Sequence, residues 1–194
     1  MKSIKENVMN EIVINKSKFI CKLIKIDNEE DVKKSLNYIK NEYKDATHYC
    51  YSYILNNVKR FNDDGEPGGT AGMPILNVLE NNELNHILCV VIRYFGGIKL
   101  GAGGLVRAYT KAVTKVLEIS NIITLVEGQR IIIEFSYNKV KYIDNILKDV
   151  EIINKEFSDN IIYTVIIGNE KYKEIENLLI ENTLNITKKE SLYI

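Results

Sequence analysis

Apolar residues in the first part of the chain follow the spacings of alternating strands and helices. Short alternating or continuous apolar runs are typical of strands, and recurrence every three or four residues is typical of helices. The pattern predicts strands over residues 11–14, 17–26, 48–55 and 87–94, and helices over residues 28–43, 74–80 and 103–120. Residues 56–72 show neither spacing and are predicted to form a loop. The run at 87–94 is apolar at nearly every position, which indicates a strand buried on both faces.

The last third of the chain has a pattern of its own. It predicts strands over residues 129–137, 151–157, 161–168 and 184–193, and helices over residues 138–150 and 170–181. The order β-α-β-β-α-β is that of a ferredoxin-like domain. We therefore predict an α+β protein with two domains, residues 1–126 and residues 127–194. The first carries 17 basic and 14 acidic side chains and the second 9 and 12, so a polyanion should prefer the first.

Composition excludes several classes of protein. A formal net charge of zero with 45% hydrophobic and 27% charged residues is typical of a folded protein, and it argues against a uniformly basic DNA-coating protein. Three dispersed cysteines and two histidines argue against a disulfide framework, a zinc site and a Ser-His-Asp triad. There is no apolar run of membrane-spanning length and no signal-peptide pattern. We expect a cytoplasmic protein that uses no metal and no cofactor and has no membrane partner.

The residues that could carry chemistry concentrate between about residue 60 and residue 107. Nine of the 11 glycines, both prolines and three of the four arginines lie there or at its ends. Glycine permits tight turns and close backbone approach, and arginine offers a planar forked donor. We therefore place the functional site in this window.

The first segment of the window is acidic. Asp63, Asp64 and Glu66 are three carboxylates within four positions. They could bond to the backbone amides of their own turn, which we favour, or orient the arginines and recognise a partner. Binding Mg²⁺ or acting as acid and base is the least favoured alternative.

The second segment is a glycine-rich loop between the buried strand and the following helix. That geometry directs backbone N–H groups and the positive helix end to one place, which suits an anion. The segment is neither a P-loop nor the dinucleotide-binding motif, because the residues required after the glycines are absent. Tight packing of the loop on the sheet is the slightly favoured explanation, and phosphate binding is the alternative. The candidate anion-binding glycines are Gly96, Gly97, Gly101, Gly103 and Gly104.

A basic stripe follows the glycine loop. Arg107, Lys111 and Lys115 recur every four residues and so share one face of the predicted helix. Such a stripe is often only a solvated face, but this one begins beside Lys99 and the exposed-looking Tyr94 and Phe95. Cations mixed with aromatic side chains are typical of nucleic-acid-binding surfaces. The tyrosines at 49, 51 and 53 are better explained by strand packing than by base stacking.

Together the two segments resemble the signature of the IMPACT/YigZ family. The residues that match the signature are Asp63-Asp64-Gly65-Glu66-Pro67-x-Gly69-Thr70-Ala71-Gly72-x-Pro74 and Val91-x-Arg93-Tyr94-Phe95-Gly96-Gly97-Ile98-Lys99-Leu100-Gly101-x-Gly103-Gly104-Leu105-Val106-Arg107-Ala108-Tyr109. The departures are Asn62, where serine is common, and Met73, where a basic residue is common. The resemblance implies that the first domain is similar to the left-handed βαβ fold of the second domain of a small-subunit ribosomal protein. It implies that the second is ferredoxin-like, similar to the last domain of elongation factor G. Eukaryotic relatives regulate translation.

Our leading hypothesis is a non-enzymatic regulator of translation that binds RNA or the ribosome. Cations around the glycine loop would contact phosphates: Arg60, Arg93, Lys99, Arg107 and Lys111. The acidic turn would orient the arginines or repel wrong partners, and Arg107 could instead brace that turn through a buried ion pair. One alternative is a phosphotransferase or hydrolase that uses the loop 96–104 for phosphate. Another is a regulator that docks a translation factor.

Overall fold

The structure is a computed structural model that describes residues Met1–Ile194. Contacts between residues divide the chain into two compact units, Met1–Thr124 and Leu125–Ile194. Each unit is described separately. No helix is both long and apolar enough to cross a membrane.

A five-stranded antiparallel sheet organises the first unit. Its strands run in the order β2-β3-β6-β4-β5, and a separate pair, β1 with β7, joins the two ends of the unit. The strands are β1 (Lys2–Ile4), β2 (Val8–Ile14), β3 (Ser17–Lys25), β4 (His48–Leu55), β5 (Val58–Asn62), β6 (Ile87–Tyr94) and β7 (Ile122–Thr124). The helices are α1 (Glu29–Glu42), α2 (Gly72–Asn81) and α3 (Gly101–Leu117).

Each face of this sheet has its own apolar core. Helix α1 covers one face, where its Val32 and Ile39 pack with alternate residues of β4 and β6 such as Tyr53 and Val90. Helices α2 and α3 cover the other face, where the core includes Cys89 and its alternate neighbours on β6. Residues directly opposite each other on paired strands share a face, so the register assigns every sheet residue to one side or the other.

Strand β5 lies where the sequence predicts a loop. Its residues are exposed apart from half-buried Val58, and Lys59 and Arg60 interrupt any apolar alternation. Strand β4 turns into it through Asn56, whose φ of 54° suits the tight turn. The prediction of a loop over 56–72 is therefore wrong at its beginning, because an edge strand needs few apolar residues. The three-residue strands β1 and β7 are too short for any periodicity to reveal.

The second unit contains the predicted β-α-β-β-α-β order. Its sheet has the strand order β11-β8-β10-β9, with all neighbours antiparallel. Two helices cover one face, where Phe135, Tyr163 and Leu179 are buried. The helix predicted over 138–150 is a 3₁₀ turn followed by a seven-residue α-helix. The elements are β8 (Glu127–Phe135), α4 (Val140–Ile146), β9 (Glu151–Phe157), β10 (Ile161–Gly168), α5 (Asn169–Asn182) and β11 (Asn185–Tyr193).

We predict that residues 125–194 fold on their own. This unit has its own core and closes its ends through two backbone bonds between Val126 and Ile194, of 2.9 and 3.0 Å. The expressed fragment should show a cooperative thermal transition by circular dichroism. A fragment that begins at residue 127 loses both bonds and should melt at a lower temperature. Absence of cooperative melting in the longer fragment would contradict the prediction.

Candidate functional site

The acidic loop, residues 63–72, is wound around the carboxylate of Asp63. One carboxylate oxygen accepts hydrogen bonds from the amides of Ala71 (3.0 Å) and Gly72 (2.8 Å), and the other accepts from the amide of Gly69 (2.9 Å). Helix α2 has no cap from its own N-cap side chain. Asp63, eight residues before the N-cap in sequence, therefore caps the first amides of α2, and both of its carboxylate oxygens accept hydrogen bonds from backbone amides.

Asp64 ties the same loop to the beginning of β4. Its carboxylate accepts a hydrogen bond from the amide of Tyr49 at 2.7 Å, and its carbonyl oxygen lies 2.8 Å from Nδ1 of His48. Asp64 has a φ of 40°, and the amide of Asp64 donates to the side chain of Asn62. This carboxylate also serves the backbone rather than a ligand.

Glu66 points into the interior instead. Its Oε1 lies 2.5 Å from Nη1 of Arg93 and accepts a hydrogen bond from the Tyr109 hydroxyl at 2.8 Å. The Cys50 thiol lies 3.3 Å from the Tyr109 hydroxyl and 3.0 Å from the carbonyl oxygen of Asp63. Cys50, Glu66, Arg93 and Tyr109 together form what we call the buried polar cluster.

The environment of this cluster keeps the Cys50 thiol and the Tyr109 phenol protonated. Burial raises the pKa of the Cys50 thiol to about 12. Burial, together with nearby Cys50 and Glu66, raises the pKa of Tyr109. At neutral pH the thiol is therefore no nucleophile, and the phenol is a hydrogen-bond donor. The cluster is therefore suited to a structural role, in which it links the acidic loop to β6 and α3.

Arg93 does not lie on the surface where the sequence places it. Only 4% of it is exposed, and its guanidinium is engaged by Glu66 and by the hydroxyl of Ser17. It is also the arginine that forms the buried ion pair with the acidic loop, a role that the sequence leaves open for Arg107. Arg93 is therefore removed from the candidate phosphate contacts, because its donors face the interior.

Arg60 lies on the other face of the sheet from Arg93. It is directly opposite Tyr53, whose side chain belongs to the core under α1. Arg93 is directly opposite Phe19, which belongs to the core under α2 and α3. The sheet therefore separates Arg60 from the glycine loop, and the two arginines do not form one surface.

The glycine loop is packed against the turn between β2 and β3. A Cβ on Gly96 would lie 2.0 Å from the carbonyl carbon and oxygen of Lys16, so no side chain fits there. The amide of Gly96 donates to the Ser17 hydroxyl at 3.2 Å. Gly97 and Gly101 have φ values of 85° and 69°, the left-handed region that favours glycine. Close packing thus accounts for Gly96, and backbone conformation accounts for the other two.

The first turn of α3 carries no group that would block an anion. Leu100, its N-cap, offers no side-chain acceptor, and no acidic residue lies in the turn. A Cβ on Gly103 would meet only Nη1 of Arg107, at 3.6 Å. The guanidinium of Arg107 is therefore folded back toward a turn whose amides lack intrahelical partners.

Several exposed cations near this turn or farther along α3 have no acidic partner within 4 Å. Lys115 is not one of them, because it pairs with Glu118 at 2.6 Å. The neighbouring loop also exposes the side chains of Phe95, by 46%, and Ile98. Lys16 was missed in the sequence because only the fold brings its turn to Gly96. We define the basic surface as Lys16, Lys99, Arg107 and Lys111.

The remaining signature residues shape the acidic loop. Gly65 and Gly69 have φ values of 85° and 75°, and the Thr70 hydroxyl donates to the carbonyl oxygen of Pro67 at 2.6 Å. A Cβ on Gly72 would lie 2.9 Å from the backbone of Asn62. No group of three His, Cys, Asp or Glu residues is arranged to hold a metal ion. Two cavities, of about 530 and 280 Å³, are lined by other parts of the chain.

The comparisons with known proteins concern the same residues. The Impact N-terminal domain family matches residues 15–117, which span both loops and all of α3. The chain belongs to the IMPACT family. The IMPACT family member YvyE of Bacillus subtilis (strain 168) is 41% identical over 167 residues, which cover 82% of this chain and 76% of that protein. YigZ of Escherichia coli (strain K12) is 41% identical over 109 residues, which cover 54% of this chain and 53% of that protein.

A solved structure agrees with this membership. The crystal structure of a hypothetical protein aligns with a TM-score of 0.67 and 28% identity, over 97% of both chains. The resemblance seen in the sequence is therefore confirmed at the level of the family. The buried polar cluster and the basic surface of this IMPACT family member lie within the matched domain.

Proposed function

We propose that this IMPACT family member binds RNA, free or within the ribosome, through its basic surface, and regulates translation without catalysing a reaction. One observation carries the proposal. Arg107 and Lys111 lie one helical turn apart on α3, both exposed and both without an acidic partner within 4 Å, and the guanidinium of Arg107 reaches back toward the first turn, where the amides are free. The eukaryotic relatives that regulate translation supply the biological context.

The basic surface suits phosphate chemically. The Arg107 guanidinium can donate two parallel hydrogen bonds to one phosphate, while Lys99 and Lys111 act as point charges on its neighbours. Such contacts bind the backbone irrespective of sequence and release counterions. The exposed ring of Phe95 offers a stacking face for an unpaired base.

The buried polar cluster positions this surface. Arg93 connects Glu66 of the acidic loop to Ser17, and Ser17 in turn accepts from the amide of Gly96. The guanidinium also lies 5.5 Å from the ring centroid of Phe95. The acidic loop would therefore act by holding the glycine loop in place.

An enzyme is the less favoured alternative. Both oxygens of Asp63 and one oxygen of Asp64 accept from backbone amides, and Glu66 is buried, with Oε1 bound by Arg93 and Tyr109 and Oε2 at 3.9 Å from Nε2 of His48. A general base or metal ligand needs a free lone pair directed at a substrate. Docking of a translation factor is favoured by exposed Phe95 and Ile98, and the experiment below separates it from RNA binding.

We also infer that the two units have the folds that the family resemblance implies. The strand order β11-β8-β10-β9 within a β-α-β-β-α-β unit supports a ferredoxin-like second domain. The first unit would then have the left-handed βαβ fold found in a ribosomal protein domain. Both assignments accord with a role in translation.

Arg107→Ala should weaken binding of single-stranded RNA to a similar extent for all sequences. It removes one phosphate contact, so the slope of log affinity against log salt should fall by about one unit. Stability should change by less than about 0.5 kcal/mol, because the side chain is exposed. Fluorescence anisotropy over a salt series measures the slope, and thermal melting checks the fold.

The matched control is Arg60→Ala, which removes an exposed arginine from the opposite face of the sheet. Its salt slope should equal that of the unmodified protein. Equal slopes for all three proteins would contradict the proposed surface. Binding to a translation factor without any affinity for RNA would favour the docking alternative.

A further inference from the structure

The four edges of the five-stranded and the four-stranded sheet are not protected alike. Exposed edge strands template pairing with other chains, and charges, bulges or shortness normally prevent it. Strand β5 has five residues, including Lys59 and Arg60. Strands β9 and β11 each carry three charged residues, and a register shift interrupts the pairing of each. Three of the four edges are therefore guarded.

Strand β2 has the fewest of these protections. It pairs with β3 in unbroken register from Val8 to Ile14 over seven residues, without proline. Glu11 is its single charged residue. Met9 is 53% exposed and Val13 is 63% exposed, and they share a face because they are four residues apart on a strand. This edge is therefore better suited to pairing with another strand than to exposure to solvent.

The hydrogen-bonding groups that face outward on β2 follow from its turn. Asn15 and Lys16, with φ values of 45° and 63°, form a two-residue turn between β2 and β3. The flanking pair, Ile14 with Ser17, is then hydrogen-bonded, and bonded pairs alternate along an antiparallel ladder. Met9, Glu11 and Val13 therefore direct their N–H and C=O groups away from the sheet.

We propose that β2 is a self-association edge, at which a second copy of this chain adds its own β2 antiparallel. With Glu11 opposite Glu11 of the second copy, each Met9 lies opposite a Val13 of the other strand. All three outward residues of each strand then exchange hydrogen bonds with the other copy. The exposed apolar side chains meet each other across the two strands.

The charged groups around β2 tolerate a second copy. Oε2 of Glu11 lies 3.8 Å from Nζ of Lys18 on the neighbouring strand. Pairing about Glu11 places the two Glu11 carboxylates directly opposite each other, which opposes pairing, and the Lys18 of each copy, diagonal to its Glu11 because it lies opposite Val13, offsets part of that repulsion. The chain has no net charge, so two copies approach without long-range repulsion. RNA or a strongly basic segment would meet no excess of opposite charge on this strand.

Sedimentation velocity over about micromolar to about millimolar concentrations tests the proposal. We expect a rising dimer fraction, with Val13→Lys weakening the dimer at least tenfold. The matched control is Ile180→Lys, which makes the same exchange at an exposed position of α5 and should leave the dimer unchanged. A monomer throughout, or a dimer insensitive to Val13→Lys, would overturn the proposal. Thermal melting of Val13→Lys establishes that the variant is folded.

Cross-linking tests the register. The three native cysteines are buried, so a short bifunctional thiol reagent should join Glu11→Cys to its symmetry mate in high yield. Val13→Cys should couple poorly, because Met9 rather than Val13 of the second copy faces it. Equal yields for both variants, or none for either, would contradict symmetric pairing about Glu11.

Discussion

Arg93→Ala should lower the free energy of unfolding of this protein by about 3–5 kcal/mol. The substitution leaves the carboxylate of Glu66 buried with one hydrogen bond, from Tyr109, and it empties the volume of a side chain that is 4% exposed. The ion pair also joins the acidic loop to β6, so its loss should release that loop. Chemical denaturation followed by circular dichroism gives the free energy.

Arg107→Ala is the matched control, since it deletes the same side chain from an exposed position without an ion pair. It should change the free energy of unfolding by less than about 0.5 kcal/mol. Glu66→Gln in the Arg93→Met background removes both charges and should recover part of the loss. Equal stability of the two arginine-to-alanine variants would contradict the conclusion that the buried ion pair of Arg93 stabilises the fold.

Gly96→Ala should destabilise the first unit by about 3 kcal/mol or more. The new methyl group would lie 2.0 Å from the backbone of Lys16, and backbone in a hairpin turn cannot move aside cheaply. The glycine loop would separate from the β2–β3 turn, and the bond from its amide to Ser17 would break. RNA affinity should fall with it, because Lys16 and Lys99 would no longer be held together.

Gly103→Ala makes the same chemical change seven residues later with the opposite expected sign. A methyl group there meets only the mobile end of Arg107, at 3.6 Å. Alanine in a helix is preferred over glycine by about 1 kcal/mol, so Gly103→Ala should raise the melting temperature slightly. Similar destabilisation by both substitutions would contradict the claim that close packing of Gly96 against Lys16 excludes a side chain there.

Strong periodicity made most of the fold predictable from sequence. The run at 87–94 predicted β6 with the bounds it has, and Asn28 with Asp31 forms the capping box that begins α1. Strand β5 and the three-residue strands β1 and β7 were not predicted, because β5 buries little and the other two are too short to show a periodicity. Strand β5 carries Lys59 and Arg60 where a central strand would carry apolar residues, and nothing local distinguishes it from a loop.

The candidate site was less predictable, because its geometry depends on distant contacts. The bonding of Asp63 to nearby amides is local and could be anticipated. Whether Arg93 or Arg107 would pair with the acidic loop depended on which face of β6 and α3 meets Glu66, and sequence does not fix that. The exclusion of Arg60 and the inclusion of Lys16 both follow from sheet register, which no motif encodes.

Sedimentation of the tagged protein with ribosomal particles at low and high salt tests the central claim most directly. The account predicts co-sedimentation at low salt, release at high salt, and loss of binding in the double variant Arg107→Ala, Lys111→Ala, whose salt slope for RNA should fall by about two units. Arg60→Ala should sediment like the unmodified protein. Absence from the particles at low salt, or co-sedimentation that the double variant leaves unchanged, would contradict RNA binding through the basic surface.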